Sequence, residues 1–276
     1  MYFPPEYAAF LNEPIETHVG LLKLVLTNRN NKTQIEKRCT KNPLSISKPL
    51  YLTPQMAYFY LINTSGGMVQ GDRLHIDIIL KENCRANITT QSATKIYRME
   101  KNCAVQYTSI EIKENAYLEY LPDPNIPYRD SRFFQISEIH LKKNSTLFFW
   151  DILYPGRFSR GEEFENDIYY SNLKIFLDNE LSLIDTVVIV PERQNPRDIG
   201  IMGNKKFTAN LYLFSENYEL FIKELQGYSY GINPAGILVI RILEEEWLTA
   251  KRKLEEIWGK VRKTYANGEI IPTRKY

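Results

Sequence analysis

Three histidines and three cysteines among 276 residues leave little from which to build a tight metal centre. His18, His75 and His140 form no HExxH, and Cys39, Cys84 and Cys103 form no CxxC pair. An odd, scattered set of thiols argues against a disulfide framework and points to a reducing, cytoplasmic setting. No apolar run approaches the roughly 20 residues that a membrane helix needs. The stretch MYFPPEYAAFLNEPIE lacks a basic region followed by an apolar one, so no secretory leader is expected. Charge of either sign is not in excess: 35 Lys and Arg stand against 33 Asp and Glu, which argues against a nucleic-acid binder. A nucleotide loop is missing too. SGGMVQGD fits neither GxxxxGK[ST] nor GxGxxG, and Gly66, Gly67 and Gly71 lead into the alternating stretch RLHIDIIL instead of opening a helix. Those glycines read as a turn or a close backbone approach at a strand start.

What the chain does have is a repeat. Four times it writes an alternating apolar segment, a tight polar turn with asparagine, and a second such segment: IDIILKENCRANITT, TSIEIKENAYLEYL, SEIHLKKNSTLFFW and LKIFLDNELSLID. Period-two alternation is the mark of a half-buried strand, and asparagine tolerates the left-handed backbone that a short hairpin turn demands. A hairpin recurring every ~30 residues cannot bury its apolar face alone, so the units are expected to stack. The expectation is a mainly β protein, stacked hairpins forming a β-helix-like solenoid over about residues 15–215 and 236–243. A two-sheet sandwich built from the same hairpins is the other arrangement. Helical spacing enters only in the C-terminal third, over about 216–226 and 245–266, where Trp247, Leu254, Ile257, Trp258 and Val261 share one stripe and Asn267-Gly268 follows as a stop. No low-complexity linker intervenes, so residues 1–276 read as one domain.

Chemistry-bearing patterns are few. Ser92 and Lys95 fit S-x-x-K, a nucleophile-and-base spacing that works one helical turn apart, but the SDN and KTG elements that accompany it are missing and the preceding ANITTQ is strand-like. His75 with Asp77, and Glu138 with His140, each share a strand face and make at most half a metal site. Asp151 is the conspicuous acid, because it interrupts the apolar run LFFWDIL. A carboxylate there either pairs with a cation such as Arg157 or Arg98, or lines something wet. Tyr97 and Arg98 have two readings: an exposed pair at a partner surface, or a core tyrosine beside an arginine that serves a buried carboxylate.

Four stretches in order carry a resemblance: Ser65-Gly66-Gly67 to Gly71-Asp72, TTQSATKIYR (Thr89 to Arg98), LEYLPDPNIPY (Leu118 to Tyr128) and FFWDILYPGRFSRGEEF (Phe148 to Phe164). Together they resemble the UreD (UreH) family of urease accessory proteins, with departures at Thr64, Gln70, Asp123-Pro124 and Tyr154. The resemblance implies a scaffold and not an enzyme, on a β-helix-type fold. It implies binding to apo-urease and to UreF, and through UreF to the GTPase UreG. No tightly bound cofactor is implied; nickel would be transient cargo moving through an internal polar tunnel toward the urease active site. By the same resemblance Asp72, Asp151 and Glu162 are the acids expected along that passage. Gly66, Gly67, Gly71, Lys95, Tyr97 and Arg98 are expected to be structural or to contact partners. A hydrolase using Ser92 and Lys95, or a generic β-solenoid interaction module, are the competing readings.

Overall fold

The computed structural model describes residues 19–54, 56–266 and 268; residues 15–18 of the expected stack, His18 and Asn267 lie outside them. Among the described residues eighteen strands follow one another. The first half of the chain supplies β1 (Val19–Arg29), β2 (Lys32–Lys41), β3 (Leu44–Ile46), β4 (Leu50–Thr53), β5 (Met56–Asn63), β6 (Arg73–Leu80), β7 (Arg85–Thr90), β8 (Thr94–Ile96), β9 (Ala104–Ile112), β10 (Tyr117–Leu121), β11 (Asn125–Pro127) and β12 (Arg132–Leu141). The second supplies β13 (Thr146–Leu153), β14 (Ile168–Leu177), β15 (Glu180–Ile189), β16 (Phe207–Phe214), β17 (Tyr230–Ile232) and β18 (Leu238–Glu244).

These strands make two facing sheets wound as a solenoid of about four turns. The first sheet runs β15-β14-β12-β9-β6-β1-β2, with its five inner strands parallel and the two outermost antiparallel. The second stacks β5, β7, β10 and β13 in parallel, then continues through antiparallel β16, β18 and β17. Stacking of repeated units is therefore what the chain does, but not as hairpins. In three of the four repeats the polar turn is a corner: β6, β9 and β12 lie in the first sheet, and the strands that follow them, β7, β10 and β13, lie in the second. Only the turn at Asn179 closes a true hairpin, β14 to β15.

The physical reason lies in where the backbone finds its partners. Alternation fixes which side chains point inward, but not whether the neighbouring strand is the other arm of the turn or the same arm one repeat away. Here the next coil wins. Lys113 N donates to Leu80 O at 2.9 Å, Lys142 N to Ile112 O at 3.1 Å, and Asp178 N to Leu141 O at 2.9 Å, so each corner sits on the one before it. Asn83 and Asn115 take the left-handed conformation (φ 59° and 57°), and Asn144 Nδ2 donates to Asn115 Oδ1 at 3.0 Å. The asparagines thus mark the corners, and one side-chain amide links two of them.

Inward-facing leucine, isoleucine and phenylalanine from both sheets form the main core. A second core lies on the outer face of the second sheet, under the C-terminal helix Trp247–Tyr265. That helix matches the expected 245–266, and it buries Ala250, Leu254, Ile257, Trp258 and Val261 against Phe148, Leu211, Leu238 and Ile240. The expected helix at 216–226 shrinks to a single turn, Glu219–Ile222, followed by a 3-10 turn, Lys223–Leu225. Among the described residues no helix is long and apolar enough to cross a membrane.

Candidate functional site: a polar interior around Asp151

The space between the sheets changes character along its length. Near the asparagine corners it is filled by Ile110, Ile112, Ile139, Leu141, Leu118 and Leu147, all buried. Toward the strand starts of the first sheet it turns polar. Gln106, Gln135 and Ser171 lie side by side in register across β9, β12 and β14, with Thr108 and Ser137 one inward position further on. Opposite them Tyr120 and Asp151 project from the second sheet, joined by Asn125 of β11.

Asp151 is the hub of this cluster, at 9% exposure. Ser171 Oγ donates to its Oδ2 at 2.8 Å, and Asn125 Nδ2 approaches Oδ1 at 3.4 Å. Asn125 Nδ2 also donates to Gln135 Oε1 and to the Tyr169 hydroxyl, each at 3.0 Å. No cation pairs with Asp151 among the described residues: Arg157 Nε donates to Glu162 at 2.9 Å, and Arg98 meets Asp130 at 3.1 Å. The ion-pair reading of this carboxylate is therefore corrected. Its neighbours are neutral amides and hydroxyls. Burial pushes the Asp151 carboxyl above the ordinary range, partly offset by hydrogen bonds from Ser171 and Gln135 and reinforced by the charge of Asp185. A cavity of about 50 Å³ reaches the cluster at Asn125 and Gln135; its wall is mixed, with Thr108, Tyr120 and Ser137 beside the apolar Leu61, Leu74, Ile76 and Phe149, and with Gly66, Gly67, Ser92 and Thr94 also lining it. Such a space has room for a small number of water molecules.

The other two expected acids are tied to their own turns. Asp72 is buried, and its Oδ2 accepts from Val69 N at 2.9 Å, closing the loop that Gly71 (φ 79°) reverses. It is one of four buried polar residues that lie one or two positions before strands of the first sheet, the others being Asn102 before β9, Ser131 before β12 and Asn166 before β14. Ser131 Oγ and Asn166 Oδ1 are buried without a hydrogen-bond partner. Glu162 accepts from Arg157 and from Arg129 N at 2.9 Å. Burial pushes the Glu162 carboxyl up, but the Arg157 and Arg129 hydrogen bonds outweigh it and hold the group below the ordinary carboxylate range.

The stretches that carry the resemblance prove to be consecutive layers of one side of the solenoid. Met68 N donates to Lys95 O at 2.7 Å, Tyr97 N to Met68 O at 2.9 Å, Tyr128 N to Ile96 O at 2.9 Å, and Tyr154 N to Asn125 O at 2.9 Å. Gly67 is required by that closeness: a Cβ there would stand 2.5 Å from the Tyr97 ring and 2.6 Å from Lys95 O. Gly66 serves the turn through φ 75°. Tyr97 is half-buried and packs edge-on to Tyr128, whereas Lys95 and Arg98 are exposed. Ser92 lies in a bend and Lys95 in β8, so the helical turn that S-x-x-K chemistry needs is not there. Asn125, Gln135 and Ser171 were not singled out by sequence reasoning. The legible signal was a polar residue at an inward position of an otherwise apolar alternation, as in FFQISEIHL and YYSNLKIFL. Among the described residues no three His, Cys, Asp or Glu side chains gather to hold a metal.

The structure is a two-sheet solenoid whose apolar core gives way to a polar cluster around Asp151. The family model described as "UreD urease accessory protein" matches residues 18–275. The chain belongs to the UreD urease accessory protein family. It is 27% identical over 271 residues to the urease accessory protein UreD of Staphylococcus epidermidis, covering 93% of this chain and 98% of that protein. It is 32% identical over 199 residues to the UreD of Staphylococcus aureus (strain bovine RF122), covering 72% of each.

Proposed function

We propose that the protein is a non-enzymatic maturation factor that binds apo-urease together with UreF, and through UreF the GTPase UreG, in the cytoplasm. In this reading nickel crosses the solenoid interior on its way to the urease active site. The observation that carries the proposal is Asp151: a buried carboxyl held only by neutral donors, two of which, Asn125 and Gln135, line a small cavity of mixed polar and apolar wall. A hydrated divalent cation takes oxygen ligands readily. One carboxylate with amides and hydroxyls binds it loosely, where clustered imidazoles or thiolates would retain it. Asp151 supplies charge as it ionises, and Ser171, Asn125 and Gln135 can turn from the carboxylate toward the water shell of the cation. Asp72 and Glu162 join the proposal as flanking acids, each already braced by its turn.

The test is co-expression of urease with Asp151→Asn and Asp151→Ala variants. Both are expected to co-purify with urease and UreF at parental stoichiometry while urease nickel content falls severalfold. Normal nickel loading with both variants would remove Asp151 from the route.

A further inference from the structure

The two free edges of the first sheet are unlike each other. At β15, the acids Asp178, Glu180 and Asp185 are interspersed with the exposed Leu181 and Ile184. At β2, every residue from Lys37 to Lys41 is exposed, so neither face of that half-strand is covered, and among the described residues the strand pairs with β1 alone. Alternate N–H and C=O groups along its outer edge therefore point away from the sheet. The chain is nearly neutral as a whole, but this edge is not. Between residues 29 and 48 the sequence sets Arg29, Lys32, Lys37, Arg38, Lys41 and Lys48 against a single acid, Glu36, which Lys81 already holds at 2.7 Å.

Lysines along an open edge repel another edge of the same kind and so guard against self-pairing. The same lysines favour an extended chain with carboxylates at alternate positions, because cross-strand pairs of opposite charge support a ladder. We propose that the Lys37–Lys41 edge of β2 is a docking site for an acidic, extended segment of a partner protein, which adds to the first sheet as a further strand. Main-chain hydrogen bonds would give affinity and the basic side chains would choose the sequence. A peptide is favoured over a nucleic acid because strand-spaced N–H and C=O groups match another peptide backbone, and a phosphate chain offers no donors to meet the carbonyls. This surface is on the outside of the solenoid and does not depend on the passage around Asp151.

The experiment uses the full chain and a fluorescein-labelled peptide of alternating Glu and Val, read by anisotropy, with amide hydrogen exchange on the same complex. Expected is saturable binding that weakens with salt, and slowed exchange at residues 37–41. The triple variant K37E/R38E/K41E should lose affinity about tenfold or more, and D151N should bind as the parent does. All three substituted side chains are exposed, so the variant is expected to melt with the parent; R38E alone is the milder second variant, with a smaller loss in the same direction. Absence of binding, unchanged affinity in the triple variant, binding without amide protection, or equal binding of poly-U RNA would each overturn the proposal.

Discussion

Two buried carboxylates on neighbouring strands of the second sheet have opposite surroundings. Glu119 of β10 points outward under the C-terminal helix, at 0% exposure, and Arg262 at 1% covers it. Arg262 Nε and Nη2 donate to Glu119 at 2.9 and 2.7 Å, while the Tyr117 hydroxyl and Asn87 Nδ2 add bonds at 2.7 and 2.6 Å. Burial alone would lower the Arg262 pKa, but the Glu119 hydrogen bond and charge raise it above the ordinary value. Asp151 of β13 points inward and has only neutral donors. The first carboxylate is committed: its charge is neutralised by one fixed partner, and the pair ties the helix to the sheet. The second is uncommitted: among the described residues only neutral side chains donate to it. Burial by itself does not say how a carboxylate is held; its partners do.

The largest effect is expected from breaking the committed pair. Arg262→Ala leaves Glu119 buried and unpaired, a loss of about 3–5 kcal/mol in urea unfolding. Arg262→Met with Glu119→Leu should recover most of that stability, and failure to recover would mean that the pair does more than neutralise itself. A smaller effect is expected at the glycine loop. Gly67→Ala drives a methyl into Tyr97 and Lys95 O and should cost about 1–3 kcal/mol, whereas Gly66→Ala has open space and bears only a left-handed penalty of about 1 kcal/mol. Equal costs would contradict the packing of these layers.

At the uncommitted site the sign reverses. Because the folded Asp151 pKa lies above its unfolded value, the carboxyl opposes folding once pH rises past the unfolded pKa, and most fully above the folded one. Asp151→Asn should therefore melt higher than the parent at pH 7, with the gap closing as the pH falls through the folded pKa and then the unfolded one. Glu162 behaves in the opposite way. Its pKa is lowered on folding, so its stabilisation is present above the unfolded value and is lost as pH falls through the folded one. Glu162→Gln should give the smallest change, a modest loss near neutrality that disappears in acid, read from thermal melts across pH.

Much of the architecture was legible because it rests on local rules. The period-two alternation of RLHIDIIL and TSIEIKENAYLEYL set which residues face inward, and the ~30-residue recurrence required stacking. The Trp247-to-Val261 stripe announced the helix that closes the second core. The hairpin reading failed at three turns because a tight turn looks the same in sequence whether its arms pair with each other or with the coils above and below. The site was legible in part: Asp151 stands out as a charge in an apolar run, but Asn125, Gln135 and Ser171 come from three other strands and meet it only once the coils are in register.

Alternation, turn chemistry and repeat length thus belong to the sequence, because each is decided within a few residues or by the spacing between like segments. The choice of parallel coils over hairpins, the pairing of Glu119 with Arg262 from 143 residues away, and the lack of an arginine paired with Asp151 among the described residues were decided only by tertiary structure. The reason is common to all three. Hydrogen-bond partners and counter-charges are assigned by distance in space, and a solenoid places far-separated residues in contact at every turn.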